Sequence, residues 1–416
     1  MILLEKKCLS NGIELYIHHL ENIRSATIAF NVGVGSVYEP DEISGISHFI
    51  EHLSFRGTKN YTMKELKRVV EEVGGLLNAW TDKENTVYYA KVPSSTLFDA
   101  FNALKEVVFY PIFKTEDLKL ERNIIFQEYL SNKEDPMSNL FELMYTKGLN
   151  GPHAKPVIGR EETIKSINLK DIKIFHEEYY VPYNVKVIIV GYIEDEVLEK
   201  VVDELEKIDG NSMKTLKHRS IVNTGLIEGK VMENTKQVHF LYVTEGFSLE
   251  QEDRYPAIVL NTILSSGMSS YFFEEIREKE GLVYDIFSTN LSQKDWGIFN
   301  IYAAVSIENV ERFQNQMINV VRKFELSDEL FNYGLRRIIG KLELSTESTS
   351  TVTNLIIEYL SNDIKPELPE EIIEKIKNVE RSDVERVFKK LFSRKWSLFY
   401  VSPEEIKNIT FKGEFI

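Results

Sequence analysis

A single cysteine, Cys8, in a chain of 416 residues excludes two kinds of protein. It cannot close an intramolecular disulfide, and no cysteine-rich zinc site can form, so any metal must be held by histidines and carboxylates. Glycine (21) and proline (11) are too sparse for a collagen-like or low-complexity chain. No run of about 18 apolar residues occurs, which predicts no membrane span. The opening MILLEKKCLSNG is too briefly apolar for a secretory signal. Basic residues number 50 against 65 acidic ones, a net charge of −15, which argues against a nucleic-acid footprint. These absences predict a cytoplasmic protein with neither nucleic acid nor membrane as a partner. What remains, 43% hydrophobic and 28% charged residues, is ordinary for a globular chain of about two domains.

The order of elements repeats. Alternating or β-branched runs predict strands at Ile13–His19 and Arg24–Gly33, a hairpin over Gly75–Pro93 and a strand at Val185–Tyr192. Helical spacing falls at about 43–56, 63–73, 95–110, 115–133, 136–148 and 169–180. The second half follows suit with a strand at Lys236–Thr244, a hairpin over Leu282–Val305 and a strand at Trp396–Val401. Helices are predicted there at about 251–265, 269–279, 307–325, 327–346, 351–362 and 381–392. Between the halves lies a polar stretch without periodicity, which reads as a linker. The expected layout is an N-terminal domain over 1–212, a linker over 213–228 and a C-terminal domain over 229–416. Hairpins mixed with blocks of helices predict an α+β fold of two similar halves, each a mixed, mainly antiparallel sheet packed with helices.

The chemistry concentrates in His48-Phe49-Ile50-Glu51-His52, spaced H-x-x-E-H. On a helix, positions i and i+4 share a face, so both histidines can address one metal ion. Glu51 stands beside them, within reach of a water activated by the metal, the arrangement of zinc-assisted hydrolysis. Chance would produce this spacing about 0.02 times in a chain of this composition. A catalytic zinc needs a third protein ligand. The predicted helix over 115–133 offers Glu121 and Glu128, two turns apart on one face, and spacing alone does not choose between them.

With these residues in view, the chain resembles the pitrilysin-type inverzincin zinc peptidases, nearest their short, two-domain, processing-peptidase-like branch. Flanking text agrees: Gly35-Ser36 and Glu39-Pro40 before the motif, Phe55-Arg56-Gly57-Thr58-Lys59 after it, then Gly74-Gly75-Leu76-Leu77-Asn78-Ala79-Trp80-Thr81. In the second half, Gly267-Met268-Ser269-Ser270 leads to Arg277 and Gly281-Leu282-Val283-Tyr284. The resemblance implies one zinc ion per chain held by His48, His52 and Glu128, with Glu51 as general base and Glu121 orienting a ligand from the same helix as Glu128. It implies substrate pairing along Asn78, Ala79 and Trp80, and transition-state contacts from Arg277 and Tyr284 of the half without a metal motif. It also implies an endopeptidase for peptides or short unfolded segments inside a chamber of paired chains. The partner would be a second copy or a paralogous, non-catalytic subunit. A binding protein with a degenerate motif is the competing class, and the intact His48, Glu51 and His52 argue against it. The remaining histidines, His18, His19, His153, His176, His218 and His239, read as structural or solvated, with His153 at the surface.

Overall fold

The computed structural model describes residues 4–210 and 218–416. The chain divides into two compact units, each assembled from separate stretches. The first comprises residues 1–129, 155–218 and 345–368; the second comprises 130–154, 219–344 and 369–416.

The first unit is built on strands β1 (Glu5–Cys8), β2 (Glu14–His19), β3 (Ser25–Val32), β4 (Leu76–Thr81) and β5 (Thr86–Pro93). After the two-residue β6 (Leu149–Asn150) of the other unit, β7 (Val185–Gly191) completes a six-stranded sheet in the order β1-β2-β7-β3-β5-β4. All neighbours are antiparallel except β2 and β7. Both faces are covered, which is why β3 and β7 read as near-continuous apolar runs. One face carries Ile28, Phe30, Val187 and Ile189 into a core with helix α3 (Leu97–Phe109) and the motif helix α1 (Ile46–Ser54). On the other face, Ala29, Ile188 and Val190 pack against Val352, Ile356 and Leu360 of helix Thr349–Ser361. That helix comes from the far end of the chain.

The second unit repeats the plan. Strands β8 (Ile221–Val222), β9 (Ile227–Val231), β10 (Val238–Glu245), β11 (Val283–Ser292), β12 (Gly297–Val305) and β13 (Ser397–Ser402) follow in sequence. Five of them form a sheet in the order β11-β12-β10-β13-β9, while β8 pairs with β6. One face is covered by α5 (Pro136–Gly148), whose Leu140 and Met144 meet Leu241, Val243 and Phe399. Each sheet is thus closed by a helix from the opposite half of the chain. The α+β class and the repeated plan match the sequence reading.

Several elements escape that reading. The stretch taken as a linker contains β8 and the start of β9, while its residues 213–217 lie outside the described residues. β9 is a mostly exposed edge strand held by parallel pairing to β13, so it carries no alternation to find. The helices Glu161–Ser166 and Asp195–Glu206 are also missed; the second buries only Val201 and Leu205 beneath a charged exterior. Residues 273–278 wind as a π-helical turn inside the helix expected over 269–279. His153 is buried rather than at the surface: its Nδ1 lies 2.9 Å from Ser220 Oγ and its ring stands edge-on to Trp296.

His176 is a buried histidine with a consequence for stability. Its Nε2–H donates to Val108 O at 2.9 Å, and its ring stacks on Tyr180. Burial pushes its pKa down to about 4 against the smaller opposing effect of the carbonyl. In the unfolded chain histidine protonates near 6.5, so the unfolded state binds the extra proton first as pH falls. Stability therefore declines from about pH 6.5 toward pH 4, by up to about 3 kcal/mol from this residue. Urea denaturation of wild type and His176→Gln across that range checks this; the variant's curve is flatter.

Candidate metal centre

Helix α1 is nine residues long and is fixed from outside itself. Gly45 precedes it at φ 96°, and a Cβ there would meet Ile158 O at 2.7 Å, so the chain can pass only as glycine. The first-turn N–H groups are taken by a buried carboxylate: Glu39 Oε2 accepts from Gly45 N at 2.6 Å and Oε1 from Ser47 N at 2.9 Å. Ile46, Phe49, Ile50 and Leu53 anchor the inner face in the core. The opposite face presents His48, Glu51 and His52.

Helix α4 (Thr115–Glu134) supplies the other half of the centre. Leu118, Glu121 and Ile125 are its buried residues, and Glu128 continues that stripe one turn on. Ile124, beside them in sequence, is 47% exposed. Glu128 Oε2 lies 3.5 Å from His48 Nε2 and 3.7 Å from His52 Nε2. Among the described residues, His48, His52 and Glu128 are the one group of three able to hold a metal ion, with ligand atoms all within 4.8 Å of one another. A tetrahedral zinc with bonds of about 2.0–2.2 Å sets neighbouring ligand atoms about 3.3–3.6 Å apart. The three side chains fit such an ion, and Glu128, not Glu121, is the carboxylate that faces it.

Glu121 bonds the other ring nitrogen of His52. Its Oε2 accepts from His52 Nδ1–H at 2.8 Å, and its Oε1 accepts from Arg56 Nε–H. The first bond selects the tautomer that leaves the His52 Nε2 lone pair facing Glu128. Burial opposes the charge of Glu121, yet the His52 and Arg56 hydrogen bonds hold its pKa below the usual carboxylate range. Burial likewise opposes a charge on His52, but the Glu121 hydrogen bond and three nearby carboxylates raise its pKa. His48 is different: burial, then the neighbouring His52, drives its pKa down to about 3, so it stands neutral and ready to ligate.

Glu51 is tethered from β4, where Thr81 Oγ1–H donates to its Oε2 at 2.6 Å. Burial raises its pKa, opposed by the Thr81 bond and the charge of His52. Thr81 and Arg56 stood in the flanking sequence without a role. Arg56 follows His52 by four residues, a helical signal that was available; Thr81 reaches Glu51 only through the hairpin, which spacing does not show.

Asn78, Ala79 and Trp80 lie on β4, the edge strand beyond β5, opposite Tyr89, Tyr88 and Val87. Asn78 Oδ1 accepts from Ala79 N–H at 2.9 Å, and the Trp80 ring packs on Tyr89 at 5.2 Å. In the second unit, the structure brings Arg277 and Tyr284 together. The Arg277 guanidinium lies 4.5 Å from the Phe273 ring centre and 5.8 Å from that of Tyr284. Arg277 stands on the π-helical turn, and Tyr284 is the bulged residue of edge strand β11, 73% exposed.

Known proteins share this architecture. A family model described as insulinase, peptidase family M16, matches residues 16–161, and one described as the peptidase M16 inactive domain matches residues 166–337. A Bacillus subtilis protein, named the uncharacterized zinc protease YmxG, is 30% identical over 406 residues, covering 94% of this chain and 97% of its own. The chain belongs to peptidase family M16. A Rickettsia felis member, also named an uncharacterized zinc protease, is 28% identical over 405 residues, covering 96% of this chain and 97% of its own. The M16 fold agrees with solved structures: a protease from Helicobacter pylori superposes with a TM-score of 0.88 at 22% identity over 97% of this chain and all of its own. The half matched by the inactive-domain model carries no counterpart of the metal-ligand group among its described residues.

The Glu121 bond predicts a measurable effect on affinity. Glu121→Gln weakens zinc binding by about 10–100-fold in a chelator competition, with the far-UV circular dichroism unchanged.

Proposed function

We propose that this chain is a zinc-dependent endopeptidase that hydrolyses peptides or short unfolded segments. The observation that carries the reading is the convergence of His48, His52 and Glu128 on one point, with the Glu51 carboxylate held alongside by Thr81. The names of its relatives, zinc proteases, support it. Bound zinc supplies a Lewis acid that lowers the pKa of a water toward neutrality and polarises the scissile carbonyl.

The residues of the chain do the rest. Glu51 is the general base: Thr81 fixes one carboxylate oxygen and leaves the other to take a proton from the attacking water and pass it to the leaving amine. Burial raises its pKa, which makes it a stronger base toward that water. Glu121 and Arg56 keep His52 in its ligating tautomer. Substrate adds as a further strand to β4, an open edge, so affinity comes from main-chain hydrogen bonds with little demand on sequence. Asn78 then exchanges its bond to Ala79 N–H for a role beside the incoming peptide. Tyr284 gives a hydrogen bond to the developing oxyanion and Arg277 steadies substrate, a reading supported by the bulge that leaves Tyr284 exposed and by the Arg277 guanidinium beside its ring. The working form is a pair of chains enclosing a chamber, either two copies or this chain with a paralogous, non-catalytic subunit.

Glu51→Gln keeps the three ligands and removes the base. About one zinc per chain is expected in both proteins by metal analysis, with peptide turnover lost in the variant by about 10²–10⁴-fold. Equal turnover would sink the assignment of Glu51, and no zinc in either would sink the metallopeptidase. Size-exclusion chromatography with light scattering is expected to give twice the chain mass; a monomer that cleaves peptides at full rate would overturn the pairing.

A further inference from the structure

The two large sheets differ at one edge. In the first, β2 runs parallel to β7 and is covered on its outer side by the antiparallel β1. In the second, β9 holds the place of β2, parallel to β13, and no strand lies beyond it among the described residues. β9 reads Ile227-Glu228-Gly229-Lys230-Val231, and all but Glu228 are exposed, Ile227 at 42% and Val231 at 51%. The bonds to β13 fix which way its backbone faces. Leu226 O accepts from Leu398 N–H at 2.7 Å, and Met232 N–H donates to Ser402 O at 2.8 Å. Successive residues of a strand turn their N–H and C=O groups to opposite sides. Leu226, Glu228, Lys230 and Met232 therefore address β13, and the backbone groups of Ile227, Gly229 and Val231 point outward.

An open edge is a template for another strand unless a proline, a bulge or an unmatched charge blunts it. β9 has neither proline nor bulge. Its two charges, Glu228 and Lys230, flank Gly229 on the face covered by α5, where Lys230 Nζ–H donates to Asn139 Oδ1. Among the described residues neither has an ion-pair partner. Their spacing is self-complementary. Two β9 strands laid antiparallel, Gly229 against Gly229, set Glu228 opposite the partner's Lys230 twice over, and Ile227 opposite the partner's Val231. The outward groups then meet as hydrogen-bonded pairs, about six main-chain bonds in all, and the charges take the closer, non-hydrogen-bonded positions. A parallel pairing in register would instead set like charges together. The other edges lack this pattern: β4 is the proposed substrate edge, β1 pairs Lys6 with Glu14 and Lys7 with Glu5 inside the chain, and β11 carries a bulge.

We propose that β9 is a self-association edge: it takes the β9 of a second copy of this chain as an antiparallel neighbour, joining two five-stranded sheets into one. This rests on the pairing of chains proposed above and names the surface that carries it. It does not depend on the metal centre.

The test is the self-association of the full-length protein, followed by sedimentation velocity over a dilution series. Wild type dimerises. Glu228→Lys or Lys230→Glu turns both attractive pairs into like-charge pairs and raises the dimer dissociation constant about 10–100-fold. Mixed in equal amounts, the two variants associate with each other about as tightly as wild type, because one brings two positive charges to the contact and the other two negative ones. The double exchange, Glu228→Lys with Lys230→Glu, restores self-association in the same way. Should a charge variant fail to fold, Val231→Pro replaces it. The N–H of that residue points outward, so proline removes bonds between the copies and none to β13, and the dimer weakens about tenfold. A wild type that stays monomeric overturns this inference together with the pairing above. A dimer as tight in the folded variants as in wild type overturns this inference alone and leaves the pairing standing. Weakening that neither the mixture nor the double exchange recovers also overturns it.

Discussion

The Glu39 carboxylate seated on the first N–H groups of α1 is the contact on which the centre depends. A nine-residue helix has little stability of its own, and its direction must come from what holds its ends and its inner face. Glu39 holds the start, Gly45 admits the tight passage beside Ile158, and Ile46, Phe49, Ile50 and Leu53 lock the rotation. With rotation fixed, His48 and His52 have only one direction to face, and α4 meets them there. A turn of the helix about its axis would send the histidines into the core and the apolar residues to Glu128. The chemistry is therefore a by-product of an ordinary packing requirement made unusually strict.

The electrostatics follow from crowding acceptors into a partly buried space. Glu51, Glu121 and Glu128 stand near two imidazoles with one guanidinium, Arg56, among them. Burial raises Glu51 and Glu128, while Glu121, which has two donors, stays ionised. His48 is held neutral by burial. Each group resolves the crowding in its own way: Glu121 is a committed anion beside His52, Glu51 a carboxylate that burial makes more basic, and His48 a neutral imidazole. A divalent cation bound among them matches the surplus of lone pairs that one arginine leaves.

Much of this was legible in the chain. The H-x-x-E-H spacing puts His48, Glu51 and His52 together because helical geometry is local, and the paired hairpins and helical blocks identify the class. The choice between Glu121 and Glu128 was not legible from spacing, since both lie on the same stripe; the distances to His48 and His52 decide it. The role of Thr81 and the β9 strand were invisible for a different reason. The first is defined by a partner thirty residues away and the second by a parallel edge, and neither leaves a periodic mark. The exchange of helices between halves belongs to the same class: Pro136–Gly148 and Thr349–Ser361 read as plain amphipathic helices, with nothing to say whose sheet they cover.

That exchange bears on how the chain is made. The ribosome releases the strands of the first sheet long before it synthesises Thr349–Ser361, so one apolar face, with Ala29, Ile188 and Val190, waits uncovered while more than a hundred further residues emerge. Domain-by-domain folding during synthesis is the general habit of large chains, and here it is closed off for the first unit. The second unit receives its covering helix early, from Pro136–Gly148, before any strand of its large sheet exists. Both units thus reach completion only in the last portion of translation, and a nascent chain halted midway offers its bare sheet face to whatever holds unfinished proteins.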